Sequence, residues 1–292
     1  MPSALLSPRP PLAFAALLLG AAAIAFAPIF VRLSDTSPTA SAFWRMALAA
    51  PPLWLWVFAT ERNASPITGP QWKLLALAGL FFAGDLGVWH WAIVFTTVAN
   101  ATLELNFAPI FVTLGAWLLF RQRVSRLFLV ALLVTLAGAG LLIGTNIGGS
   151  GMALQGDGLG VLAGLCYACY MLTIKSASSR VSTARIMAVS TTVAAVLLAP
   201  YAWLTAANFV PQSIHGWMIL LGLAMVAHVL GQSLIAYGFA HLPAAFSSVS
   251  LLTQPVLAAI YAWLLLGEIM VPTQMAGGFI VLLGIYLAKR GS

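Results

Sequence analysis

Ala116-Trp117-Leu118-Leu119 recurs as Ala262-Trp263-Leu264-Leu265, and the interval of 146 residues between them decides the fold. At the same offset, without a gap over residues 74–144, Pro109 falls on Pro255. Leu74, Leu75, Leu77, Ala78, Ala99, Leu105 and Gly138 likewise meet identical residues at Leu220, Leu221, Leu223, Ala224, Ala245, Leu251 and Gly284. The second half of the chain therefore repeats the first. Each unit carries five apolar runs. An odd number of crossings makes the second unit enter a bilayer from the side opposite to the first, which predicts an inverted pair of the kind that builds transporters.

Composition points the same way. Soluble domains are about half apolar and a quarter charged, whereas this chain of 292 residues is 62% apolar and 7% charged, with a mean hydropathy of +1.01. It reads as an all-α polytopic membrane protein. Ten spans of about 20 residues each use most of the length and leave none for a separate soluble domain. The net charge of +7 is read as a record of topology rather than as affinity for nucleic acid. Cys166 and Cys169 form a C-x-x-C inside an apolar run without further Cys or neighbouring His, so they are expected to be buried small side chains rather than a redox or metal site. Arg9 and the apolar run from Leu12 imitate a signal peptide, but no small-residue cleavage site precedes a soluble domain, and the segment is read as the first span.

Apolar runs fall at 12–31, 38–59, 72–95, 98–120, 126–144, 157–176, 184–206, 215–239, 243–266 and 271–289. Ser37-Pro38, Ser65-Pro66, Gly69-Pro70, Pro211 and Pro243 punctuate them, and Gly148-Gly149-Ser150-Gly151 joins the halves. The expected organisation is a first five-helix repeat over 1–147, a linker over 148–155 and a second repeat over 156–292. With the N-terminus in the cytoplasm, eleven of the thirteen cations fall on the inner side: Arg9, Arg62, Lys73, Arg121, Arg123, Arg126, Lys175, Arg180, Arg185, Lys289 and Arg290. Arg32 falls outside and Arg45 within a span. The positive-inside rule therefore predicts an inner-membrane protein with both termini cytoplasmic. Gly156, Gly160 and Gly164 recur every four residues, as do Gly140 and Gly144, and suit close packing of helices within the bundle; they leave the oligomeric state open.

An ionised side chain at mid-span costs about 2.5–3.5 kcal/mol, so it should face a cavity or a partner. Asp85, Glu104 and Arg45 are the candidates, either as a structural ion pair or as substrate contacts. Trp89 lies four residues from Asp85 and shares its face, with His90 and Trp91 beyond. Such rings can wall a pocket or belong to an interfacial belt, and His90 can be structural or relay protons. Glu104, Ala108 and Phe111 share a face that maps onto Ser250, Gln254 and Leu257. Pro109 and Pro255 each remove a backbone hydrogen bond and should free the carbonyls of Leu105 and Leu251, either as packing kinks or as paired interruptions at a binding and gating centre. His228 and Gln232, at i, i+4, with Tyr237 further along, would line the opposite wall.

Span two reads Thr39-Ala40-Ser41-Ala42-Phe43-Trp44-Arg45-Met46-Ala47-Leu48-Ala49, and span nine runs from Gln254-Pro255-Val256 to Ala262-Trp263-Leu264-Leu265-Leu266-Gly267-Glu268. With Gln274, Gly277 and Gly284, these resemble the EamA-type transporters of the drug/metabolite superfamily over nearly the whole chain. The resemblance implies ten helices, a central cavity walled by spans one to four and six to nine, and spans five and ten at the periphery. It also implies export of amino acids, often aromatic, and related metabolites, without a cofactor. Two departures stand out: Arg121-Gln122 occupies the place of Gly267-Glu268, and Glu104 that of Ser250.

The expected function is export of amino acids and related small metabolites by alternating access. Glu104 would receive an ammonium, Arg45 a carboxylate, Trp89, Trp91 and Tyr237 the apolar part, and Gln232 and Gln254 would supply hydrogen bonds. A proton-coupled multidrug exporter using Asp85, Glu104 or His90 is the nearest alternative. A nucleotide-sugar carrier would favour more interior cations than Arg45. An intramembrane enzyme would need an acid/base or nucleophilic constellation; no G-x-S-x-G or H-E-x-x-H occurs, and His90 and His228 have no motif of metal ligands beside them. A channel fits a twofold repeat less well than a carrier does.

Overall fold

A computed structural model describes residues 10–62, 64–95, 106–143, 151–267 and 270–291, and these are helical with short connections. α1 runs in two pieces, Pro10–Ile24 and Ala27–Leu33. α2 spans Pro38–Thr60, α3 Gly69–Phe95, α4 Ala108–Phe120 and α5 Arg126–Ile143. α6 spans Gly151–Ala177, α7 Thr183–Thr205, α8 Ile214–His241, α9 Ala244–Leu266 and α10 Pro272–Gly291. Among the described residues, seven helices are long and apolar enough to cross a membrane, and α4 and α5 are shorter apolar helices. The protein is a multi-pass membrane protein. α6 begins at Gly151, inside the stretch expected to link the halves, because Met152-Ala153-Leu154-Gln155 are good helix formers that extend it backwards.

Local rules explain the helix ends. Ser182 and Ser213 cap α7 and α8, accepting from the N–H groups of Arg185 and Gly216. At the other end of the chain's two repeated helices the backbone does the same thing twice. α4 closes on Arg121 and α9 on Gly267, both left-handed, with φ of 53° and 68°, and both donate to the carbonyl 5 residues back, Ala116 and Ala262. These positions are related by the 146-residue offset.

The packing obeys that offset as a whole. α5 lies on α10, α2 on α7 and α4 on α9, and each of these pairs maps onto itself when five helices are added. α1 with α8 answers α6 with α3; α3 with α7 answers α8 with α2; α4 with α6 answers α9 with α1. The α5–α10 crossing shows the operation residue by residue. A Cβ on Gly138 would lie 2.7 Å from Val281 N and 2.9 Å from Gly277 O. Its image, a Cβ on Gly284, would lie 2.8 Å from Thr135 N and against Thr135 Oγ1. One residue number rises as its partner falls, so the two helices are antiparallel. The apolar effect is weak between helices in lipid, so this close backbone approach, available only without side chains, supplies the attraction.

Polar ties gather at two ends of the bundle. At one end Glu61 pairs with Arg185 (2.7 Å), Lys175 Nζ donates to the carbonyls of Ala240 (3.2 Å) and Leu242 (2.9 Å), and Ala244 N–H donates to Gln122 Oε1 (3.2 Å). Arg62, Arg180, Lys289 and Arg290 lie on helix termini at this end. At the opposite end Asp35 Oδ2 accepts from Gln212 N–H (3.0 Å) and Ser213 Oγ (3.1 Å), and Trp44 Nε1 donates to Phe209 O (2.8 Å) among the rings of Phe43, Trp203 and Trp217.

Gly277→Ala places a Cβ against Leu142 N and Gly138 O and is expected to destabilise the protein by about 1–3 kcal/mol. Gly158→Ala, which meets no atom within 4 Å, is expected to be neutral or slightly stabilising. Thermal unfolding of the two variants in one detergent checks both.

Candidate substrate site

The polar residues of the interior come from both halves. Asp85 on α3 is 5% exposed and lies within electrostatic reach of Arg45 on α2, as do Tyr167 and Tyr170 of α6. Arg45 is half-buried, and its Nε is buried without a hydrogen-bond partner among the described residues. Glu61 and Arg185 form a close ion pair elsewhere in the bundle.

On the far wall, α8 leaves the α-helical pattern. Residues Leu223–Gln232 form a π-helix, with hydrogen bonds to i+5, and this stretch holds His228 and Gln232, both buried. Such segments are rare and recur at functional sites. Gln232 Nε2 donates to the Tyr170 hydroxyl (3.2 Å), and His228 Nε2 shares a hydrogen bond with Thr191 Oγ1 (2.8 Å). His228 Nδ1 is buried without a hydrogen-bond partner among the described residues. Phe82 stacks between Tyr170 (centroids 4.4 Å, 11°) and His228 (5.6 Å, 18°). The result is an aromatic slab faced by amide, hydroxyl and guanidinium groups.

α9 completes the site. It breaks at Leu251-Leu252 and restarts at Thr253, so Pro255 sits in the first turn of a new helix, where its missing N–H costs little. α4 likewise starts at Ala108 with Pro109 in its first turn. The expectation that Pro255 frees the Leu251 carbonyl is corrected here: that oxygen accepts from Gln254 N–H (2.9 Å), because the chain tightens into a turn at the break. Leu105 lies outside the described residues. Gln254 is within hydrogen-bonding reach of the Tyr167 hydroxyl, and its Nε2 is buried without a hydrogen-bond partner among the described residues. Beside it is a cavity of about 60 Å³ lined by Asn106, Pro109, Tyr167, Met171, Leu251 and Gln254, among others. Ligand pockets for small molecules occupy roughly 300–1,000 Å³. This one is smaller and has room for a few waters.

The structure thus brings together Arg45, Asp85, His228 and Gln232, with Gln254 beside the cavity. Ser250 is fully buried and donates to Phe246 O (2.9 Å), which satisfies it within its own helix. Trp89 is half-buried on the Asp85 face. Trp91 is 46% exposed and stacks on Phe95, so it faces away from the cluster. Tyr237 lies five residues beyond Gln232, with its ring tilted at 40° against His241 (4.2 Å). Glu104 lies outside the described residues, as does the side chain of His90. Tyr167, Tyr170, Phe82 and Thr191 were not anticipated. The spacing of Tyr167 and Tyr170, three apart in an apolar run, was the available signal.

Comparison with known proteins places this arrangement. The model of the EamA-like transporter family matches twice, over residues 11–144 and 154–290. The chain belongs to the EamA-like transporter family. Among relatives of this EamA-like chain, an uncharacterized transporter of Archaeoglobus fulgidus is 26% identical over 89% of this chain and 91% of its own. The pseudopaline exporter CntI of Pseudomonas aeruginosa is 26% identical, covering 88% of each chain. A solved crystal structure shares the fold, with a TM-score of 0.80, at 17% identity over 94% of this chain and 96% of its own.

Thr191→Val leaves His228 buried with neither nitrogen hydrogen-bonded by that hydroxyl, and is expected to cost about 1–3 kcal/mol. Chemical or thermal denaturation against the wild type measures it.

Proposed function

We propose that the protein exports amino acids, aromatic ones included, and related small metabolites across the inner membrane. Two inverted five-helix halves rock about the polar centre in alternating access, with the Arg185 end and both termini in the cytoplasm. The observation that carries this reading is the joining of a guanidinium, a carboxyl, amides and hydroxyls from both halves onto one aromatic slab, beside a small cavity. A zwitterion needs opposite charges at short range, and Arg45 and Asp85 offer them. The Phe82–Tyr170–His228 stack suits a flat side chain. Glu104 supplies a further anion for the ammonium. The doubled match of the family model, the mirrored contacts between helices and the cation-rich end support the inverted arrangement and its orientation. That one relative is a pseudopaline exporter supports the direction.

A second reading, a proton-coupled exporter of drugs and metabolites, is favoured by the deep burial of the Asp85 carboxyl, a group that a proton can neutralise.

Proteoliposome uptake of labelled phenylalanine, tryptophan and alanine tests the first reading. Arg45→Gln and Asp85→Asn are each expected to lower kcat/KM about ten- to hundredfold, the worth of a charge-assisted contact, and Glu104→Gln to do likewise. Uptake that is unchanged in all three variants contradicts it. An imposed pH gradient that drives accumulation in the wild type but not in Asp85→Asn selects proton coupling over facilitated diffusion.

A further inference from the structure

A second cavity, of about 290 Å³, lies at the cation-rich end and opens toward the outside of the bundle. It is lined by Trp117, Leu118, Arg121 and Arg123. Trp117 and Leu118 are 54% and 61% exposed on the outward face of α4, and both arginines are exposed.

The repeat shows which part of this cleft is special. Trp263 and Leu264, the images of Trp117 and Leu118, are equally exposed at the opposite end of the bundle. The helix cap is the same in both halves, but its residue is Gly267 in one and Arg121 in the other. Arg121 is the one non-glycine residue with positive φ among the described residues. A left-handed backbone disfavours any side chain with a Cβ, so the chain keeps an arginine where its own repeat uses glycine. The apolar half of the cleft is thus common to both ends, while the two guanidinium groups occur only at the cytoplasmic end. There the leaflet carries anionic lipids. Guanidinium forks match phosphate oxygens bidentately, and an exposed Trp-Leu face suits the upper acyl chain.

We propose that this cleft binds the headgroup of an acidic phospholipid, its phosphate held by Arg121 and Arg123 and its acyl chains laid on Trp117 and Leu118. The site rests on the membrane orientation given above and is independent of what the protein carries.

Thermal unfolding of the purified full-length protein in neutral detergent tests it, with phosphatidylglycerol, phosphatidylcholine or inorganic phosphate added. Phosphatidylglycerol is expected to raise Tm by about 4–8 °C more than phosphatidylcholine does, and inorganic phosphate to add little. The double variant Arg121→Gly, Arg123→Gln is expected to lose most of that increment. Its lipid-free Tm should match or exceed that of the wild type, since glycine suits the cap; Arg180→Gln, at another exposed cation of the same end, should keep the increment. An equal increment in the double variant, an equal loss in Arg180→Gln, or a full increment from inorganic phosphate overturns the proposal. Because the readout is lipid binding, it stands or falls separately from transport.

Discussion

The contact on which the rest of the structure depends is the backbone-to-backbone crossing of α5 and α10. Gly138, Gly277 and Gly284 let two antiparallel helices meet without intervening side chains. The contact of Gly138 with Val281 becomes that of Gly284 with Thr135 under a shift of 146 residues. Two antiparallel helices exchanged by one operation require an axis perpendicular to both. In the inverted arrangement proposed above, that axis lies in the membrane plane. The remaining pairings, α2 with α7 and α4 with α9 on the axis and three mirrored sets around it, then follow from a single geometric constraint.

That constraint also fixes where chemistry can reside. Helix breaks in hydrocarbon are tolerated only where other protein groups satisfy the backbone. α9 breaks at Leu251-Leu252 and answers with a hydrogen bond from Gln254 N–H to Leu251 O and one from Thr253 Oγ1 to Ser250 O (2.8 Å). α8 keeps its backbone paired by widening into a π-helix, which re-aims His228 and Gln232 at α7 and α6. The two halves are not equal around the axis. Asp85 sits where the second half has Gly231, and Cys166 and Tyr167 where the first has Gly20 and Ala21. Cys166 is small for a reason: its Sγ lies 3.4 Å from the place a Cβ of Gly84 would occupy. The polar centre is therefore displaced toward α2, α3 and α6 on a frame that is otherwise symmetric.

Much of this was legible in the chain. The offset that aligns Pro109 with Pro255 and Ala116-Trp117 with Ala262-Trp263 carries through to the helix caps and the α5–α10 contacts, because identical local sequence takes up identical local backbone. Arg45, Asp85, His228 and Gln232 were legible because polar groups in hydrocarbon need partners. The π-helix was not, since His228 and Gln232 share a face at a spacing of four in either kind of helix and the pattern does not separate them. Tyr170 and Phe82 escaped because an aromatic ring in an apolar run looks like core until its neighbours are known. Of the two readings open for Trp91, its exposure fits the interfacial belt: six residues from Asp85, it lies on another face of α3.

The central claim, that equivalent positions of the two halves lie on opposite faces of the membrane, is tested by accessibility. In a variant whose Cys166 and Cys169 are replaced, Ser125→Cys and Val271→Cys mark the exposed starts of α5 and α10, related by the 146-residue shift. A membrane-impermeant maleimide applied to intact cells should label Cys at 271 and should label Cys at 125 only after the membrane is opened. Labelling of both positions from the same side would contradict the inverted architecture.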